Sequence, residues 1–322
     1  MGAPADKGLP DIGPLLGDDA QRAARLVAIE LQARIRAAHA RLGDPGDRSA
    51  LHDFRVAVRR LRSWLDMDVV LPGRMVPERA LKRLRKVSKA TNASRDHEVF
   101  AKWLRGRLGA LSGDERAAAD WVLAVLGARA SRSDPGVGGK VEREYARSME
   151  LLDDSLPWYR SLHHVERGQQ VVSFAASLAA LLRLDVAELR RRVTAVAGED
   201  DGKAIHRARI AGKRLRYHLE PVAAAVPGVP ECLQRLRTLQ DLLGDFTDGL
   251  VWIDIVREAG KEAHDDAVRQ GLDRIVARIG KRGARRFRDI RKYWLTGEPA
   301  LFAGLSAVEA WLDARAPATD HV

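Results

Sequence analysis

Leu51-His-Asp-Phe-Arg-Val-Ala-Val-Arg-Arg-Leu-Arg-Ser-Trp-Leu65 returns 154 positions later as Ile205-His-Arg-Ala-Arg-Ile-Ala-Gly-Lys-Arg-Leu-Arg-Tyr-His-Leu219. Seven of the fifteen positions are identical, and three more are Leu/Ile, Val/Ile and Arg/Lys exchanges. At about 100° per residue, His52, Arg55, Arg59 and Arg62 share one side of a helix. Phe54, Val58, Leu61 and Leu65 lie nearly opposite, on the face that a core would bury. In the second copy the same stripe holds His206, Arg209, Lys213 and Arg216. Like charges one turn apart weaken a helix. A cationic row without carboxylates, written twice in register, therefore points to an anionic partner more than to an ordinary solvated face.

Working outward, the following segment also repeats. Leu81-Lys-Arg-Leu-Arg-Lys-Val-Ser-Lys-Ala-Thr-Asn-Ala-Ser-Arg-Asp96 aligns with Leu233-Gln-Arg-Leu-Arg-Thr-Leu-Gln-Asp-Leu-Leu-Gly-Asp-Phe-Thr-Asp248. Asn92 and Gly244 coincide, and both residue types readily end a helix in the left-handed conformation. Asp96 and Asp248 would then cap the next helices. The pattern predicts an internal duplication with a seam near residues 163–170. The expected organisation is a flexible segment at 1–17, a first half at 18–165, a second at 166–313 and a tail at 314–322.

The chain resembles the CHAD domain family, the conserved histidine α-helical domain. The resemblance rests on His52 to Leu65, Leu81 to Asp96, Ile205 to Glu220 and Leu233 to Asp248, and spans roughly Asp18 to Asp313. It implies two four-helix-bundle-like halves about a pseudo-twofold axis, with basic helices lining a central groove that binds inorganic polyphosphate. It also implies association with polyphosphate granules or with enzymes of polyphosphate turnover.

Periodicity gives the all-α class independently, because no alternating strand pattern with turn signals occurs. Helices are expected from Asp18/Asp19 to Leu42, from the first stripe to about Val70, from Glu78 to Asn92, from Asp96 to about Leu111, and from Ser112-Gly-Asp114 to Arg129. Ser131 to Gly139 reads as a loop, and Lys140 to about Leu162 as helix with a break at Pro157. In the second half, helix is expected over Gln169 to Val196, from the second stripe to about Val226, and over Glu231 to Leu243. Phe246 to Ala259, Asp265 to Trp294 and Pro299 to Asp313 follow.

The net charge of +11 agrees with a polyanionic ligand. An aromatic content of 5% disfavours recognition of single-stranded nucleic acid by base stacking. Nucleic-acid phosphates remain the alternative partner, in a nucleic-acid-binding or granule-organising role. Cys232 is the only cysteine, which excludes an intrachain disulfide and fits a reducing cytoplasm. Met1 to Gly17 lacks the pattern of a signal peptide. Val171 to Leu182, the most apolar stretch, is too short to span a bilayer, so no membrane association is expected.

Arginine donates two hydrogen bonds at once to phosphate oxygens. A spacing of i, i+3, i+7 and i+10 tracks a linear polyanion. From the family positions, Arg55, Arg59, Arg62, Arg209, Lys213 and Arg216 are expected at the heart of the site. Arg60 and Arg214 lie about 100° from the stripe's centre and face either the anion or a neighbouring acid. Lys82, Arg85, Lys86 and Lys89 form a further row whose counterparts are Gln234, Arg237, Thr238 and Asp241. Only Arg237 keeps its charge there, so the first half is expected to contribute more contacts. Arg285, Arg288 and Lys292 share a late helix face, either solvated or a groove wall.

His52 and His206 allow three readings: metal ligand, structural histidine or anion contact. The metal reading is weak, since neither has a partner ligand at i+4. No metal or cofactor is expected. Gly136-Val-Gly-Gly139-Lys140 fails the phosphate-loop pattern, His97-Glu98 meets Ala101 where a zinc protease needs histidine, and no Glu-x-Glu-x-Lys occurs. A non-catalytic binding module is the resulting expectation.

Overall fold

A computed structural model describes residues 11–44, 46–47, 49–131, 135–158, 172–295 and 299–316. The described residues form α1 (Ala20–Ala40), α2 (Ala50–Leu65), α3 (Glu78–Arg105), α4 (Gly113–Ser131) and α5 (Pro135–Ser155). They continue with α6 (Phe174–Thr194), α7 (Gly202–Leu219), α8 (Val229–Gly260), α9 (Asp266–Ile290) and α10 (Pro299–Asp313). Among them there is no β-strand, only an isolated bridge between Asp19 and Ser173. The fold is all-α.

The helix starts follow side-chain chemistry. Asp19, Ser173, Asp201 and Asp265 each accept a backbone N–H of the first turn of α1, α6, α7 and α9. Ahead of α2, Asp47 takes that role towards Ala50 at 3.1 Å. Arg41, just past the end of α1, donates to Asp47 at 2.7 Å, Asp53 at 2.9 Å and Ser49 at 2.7 Å. That fork holds the Asp47 carboxyl well below its ordinary range and ties the end of α1 to the start of the first stripe.

Two expected breaks are absent. α3 runs through Asn92 and α8 runs through Gly244, so Asp96 and Asp248 lie inside helices and cap nothing. A single glycine costs a helix only about 1 kcal/mol relative to alanine. Burial on both sides of Gly244, at Leu236, Leu239, Leu243, Phe246 and Trp252, outweighs it. The expected loop at 131–139 is also shorter, because Pro135 opens α5, a position where its missing N–H is harmless. Residues 132–134 lie outside the described residues, as does the stretch expected as helix from 159 to 162.

The two cores do not follow the chain seam. The larger joins α1, α2, α5, α6, α7 and α10 with the N-terminal parts of α3 and α8 and the C-terminal end of α9, including Trp64, Phe174, Leu215, Leu236 and Phe287. The smaller joins α4 and α9 with the C-terminal parts of α3 and α8, including Phe100, Val122, Val256 and Ile275. Each core therefore draws on both halves of the sequence, and α3, α8 and α9 are shared by both. At the N-terminus, Ile12 and Leu16 are buried in the larger core; residues 11–17 are thus packed rather than loose, while 1–10 lie outside the described residues. Residues 317–322 of the expected tail do so too.

Candidate functional site

α2 and α7 meet inside the larger body, and their apolar faces are buried as the periodicity requires: Phe54, Val58, Leu61 and Leu65 on one, Ile205, Ala208 and Leu215 on the other. Gly212 stands where the first copy has Val58. A β-carbon there would lie 3.4 Å from Leu239, and Gln240 donates to the Gly212 carbonyl at 3.1 Å. α8 consequently lies close along α7 and forms the third wall of the site.

Two adjoining clefts open where these helices meet. One, of about 540 Å³, is lined by His52, Arg59 and Arg60 of α2 and by Arg209, Lys213 and Arg216 of α7. The other, of about 640 Å³, carries Arg59, His206, Arg209 and Lys213, with Lys203 and Arg207 beyond the stripe. Arg59, Arg209, Lys213 and Asp248 line both. Stripes 154 positions apart in sequence are thereby brought to one basic cleft.

The individual side chains are not equivalent. Arg55 is only 4% exposed, because α2 is enclosed by α1, α3 and α7 and only part of its circumference opens to the cleft. Its counterpart Arg209 is half-buried, 3.9 Å from Asp248. The Nε of Arg59 is buried and has no hydrogen-bond acceptor among the described residues. Burial draws the Arg62 guanidinium below its ordinary value, and the nearby Arg85 and Arg59 act in the same sense against Asp66. Arg62 thus connects the α2 stripe to the row on α3.

Arg60 and Arg214 face acids. Arg60 donates to Glu220 at 2.6 Å and Arg214 to Asp185 at 2.8 Å, while Arg216 lies 3.6 Å from Glu220. In the α3 row, Lys82 pairs with Glu78 at 3.1 Å and Lys86 with Glu144 at 3.5 Å, whereas Arg85 and Lys89 are exposed. Arg237 is exposed on α8. Arg288 is exposed on α9 and lines a separate cavity, which shares no residue with either α2/α7 cleft.

His52 and His206 are both exposed at the mouth of the clefts, which removes the structural core reading. The imidazole of His206 is held below its ordinary value, first by burial and then by Arg209 and Lys213. Among the described residues no group of three or more His, Cys, Asp or Glu is placed to hold a metal ion.

The place of three acids on the cleft wall escaped the sequence reading. Asp241, Asp245 and Asp248 line the first cleft from α8. Their i, i+4, i+7 spacing is visible only when Gly244 is not taken as a helix end. The buried His218 is a second omission. It bonds Asp185 through Nδ1 at 2.5 Å and the Ser63 carbonyl through Nε2, and so links α6, α7 and α2.

No helix among the described residues is long and apolar enough to cross a membrane. No curated protein matches the chain. A solved structure of the CHAD domain from the plant Ricinus communis superposes with a TM-score of 0.63 at 20% identity, covering 95% of this chain and 97% of that one. PptA from Streptomyces chartreusis gives 0.62 at 15% identity over 88% and 99%. These likenesses show the shared fold. A model of the CHAD domain matches residues 26–257, which includes both cationic stripes and most of α8, and on that match the chain belongs to the CHAD domain family.

Proposed function

We propose that the α2/α7 cleft binds inorganic polyphosphate without chemistry of its own. The observation that carries this is the convergence of two separate cationic stripes on one cleft, with Arg59 from α2 opposite Arg209 and Lys213 from α7. Some members of the family bind polyphosphate, which supports the same ligand class here. A row of cations along a cleft suits a flexible chain of phosphates better than a single compact anion. The Asp241/Asp245/Asp248 row sets the opposite wall, so the ligand is expected to lie towards α2 and α7. His52 and Arg216 extend the contact; Arg62, which lines neither cleft, is accessory with Arg85, Lys89 and Arg237. Arg60 and Arg214 serve the framework.

Calorimetric titration with polyphosphates of increasing length, at two salt concentrations, tests this. Affinity should rise with chain length and fall with salt, with a slope that reports the phosphates neutralised. Long-chain polyphosphate should displace a bound oligonucleotide at far lower phosphate concentration; the reverse order would transfer the cleft to nucleic acid. Incubation with Mg²⁺ should leave the chain length of polyphosphate unchanged. Attachment to granules through the bound polymer belongs to the same proposal, and co-sedimentation with polyphosphate granules, lost in a cleft variant, checks it.

A further inference from the structure

A third cavity of about 1090 Å³ opens between the α3–α4 connection, the start of α4 and one face of α9. Eight cations line it against only two carboxylates, Glu115 and Asp289. Several of the cations are committed: Arg274 to Asp114 at 2.9 Å, Arg278 to Glu115 at 2.9 Å, and Arg282 and Arg286 to Asp245 at 3.1 and 2.9 Å. Lys281, Arg285 and Arg288 have no carboxylate partner among the described residues, and they follow one another at i, i+4 and i+7 along α9. Arg107 faces them from the end of α3 without an acid either; burial and Arg282 both weaken its hold on its proton.

A row of unpaired cations repels itself, and an opposed arginine adds to the cost. A bound anion removes it. The indole of Trp103 bears on the kind of anion. Its ring lines the same cavity, while its Nε1–H is buried away from it and has no acceptor among the described residues. The ring itself is already engaged, with Arg107 at 4.3 Å, Trp252 at 4.7 Å and Phe100 at 6.0 Å between centres. Its faces are therefore taken and offer no stacking platform, which together with the lining cations favours a phosphate over a nucleobase.

We infer that this cavity is a second anion site, built for a short inorganic phosphate chain and separate from the α2/α7 cleft. Asp245 forms the partition. It lines the first cleft and holds Arg282 and Arg286 at the edge of the second cavity. The inference stands on its own residues and does not depend on the function proposed for the first cleft.

Tripolyphosphate titrated into the full chain at about 0.15 M salt, where charges more than about 8 Å apart are screened from one another, tests it. Two equivalents should bind. R285Q/R288Q should lose one of them, and R59Q/K213Q should lose the other. The Trp103 indole resonance, assigned with W103F, should shift on binding in R59Q/K213Q and stay still in R285Q/R288Q. If R285Q/R288Q binds as many equivalents as the unaltered protein, the second site does not exist. If instead R59Q/K213Q loses nothing while R285Q/R288Q does, the second site stands and the first cleft loses its assignment.

Discussion

Arg59 and Arg60 sit side by side on α2, yet a step of about 100° separates their surroundings. Arg59 carries a buried Nε without an acceptor among the described residues and lines both clefts, while Arg60 is clasped by Glu220 at 2.6 Å. Arg59→Gln should weaken polyphosphate binding by about tenfold, or ~1.4 kcal/mol, and leave the melting temperature unchanged. His218→Ala should do the opposite. It takes from the buried Asp185 carboxylate one of its two partners, leaving Arg214, and unties α7 from the Ser63 carbonyl of α2, at a cost of about 1–3 kcal/mol, visible as a lower urea midpoint. His206 adds a pH dependence. Arg209 and Lys213 on its own helix, Arg59 from α2, Asp96 from α3 and Asp248 from α8 line its cleft. Burial and its cationic neighbours hold the free imidazole below its ordinary value, and a bound phosphate favours the imidazolium. Affinity should therefore increase from pH 8 to pH 6, and His206→Gln should flatten that profile.

At the scale of elements, the tightest crossing is that of α4 and α9. A β-carbon on Gly271 would come within 2.1 Å of the Asp114 carbonyl and 2.7 Å of the Ala118 side chain. Gly271→Ala should therefore destabilise the protein by about 1–3 kcal/mol, even though alanine is the better helix former by about 1 kcal/mol; thermal denaturation checks the sign. Periodicity located these helices well. The faces of α2 and α7, the start of α1 at Asp19 and the span of α10 are where the pattern of apolar residues and caps puts them. It failed where a local signal competed with distant packing. Gly244 looked like a terminus because the residues burying α8 on either side come from α7, α9 and α10. That misplaced terminus also hid the aspartate row. Arg55 fails for a related reason, since nothing in a helical wheel tells how many neighbours will enclose it.

For the whole molecule, sequence order and spatial order diverge. The chain runs through five helices and then five more among the described residues, yet each core takes members from both sets. Repetition in the sequence led to the expectation of two halves facing a common cleft. It could not announce that α4 would lie on α9, because nothing in one amphipathic stripe names its partner. Fragments 1–165 and 166–313, produced separately, should each lack cooperative melting, and the intact protein should show one transition by circular dichroism and calorimetry. Resolved melting of the two cores would overturn this.

α3 and α8, 28 and 32 residues long, extend from one core into the other. Each works as a girder common to two rooms: neither room can be dismantled while the other keeps its walls. Damage at the far end, such as loss of Phe100 from the smaller core, will therefore be felt at the α2/α7 cleft as lost rigidity, without any change in the side chains that line it.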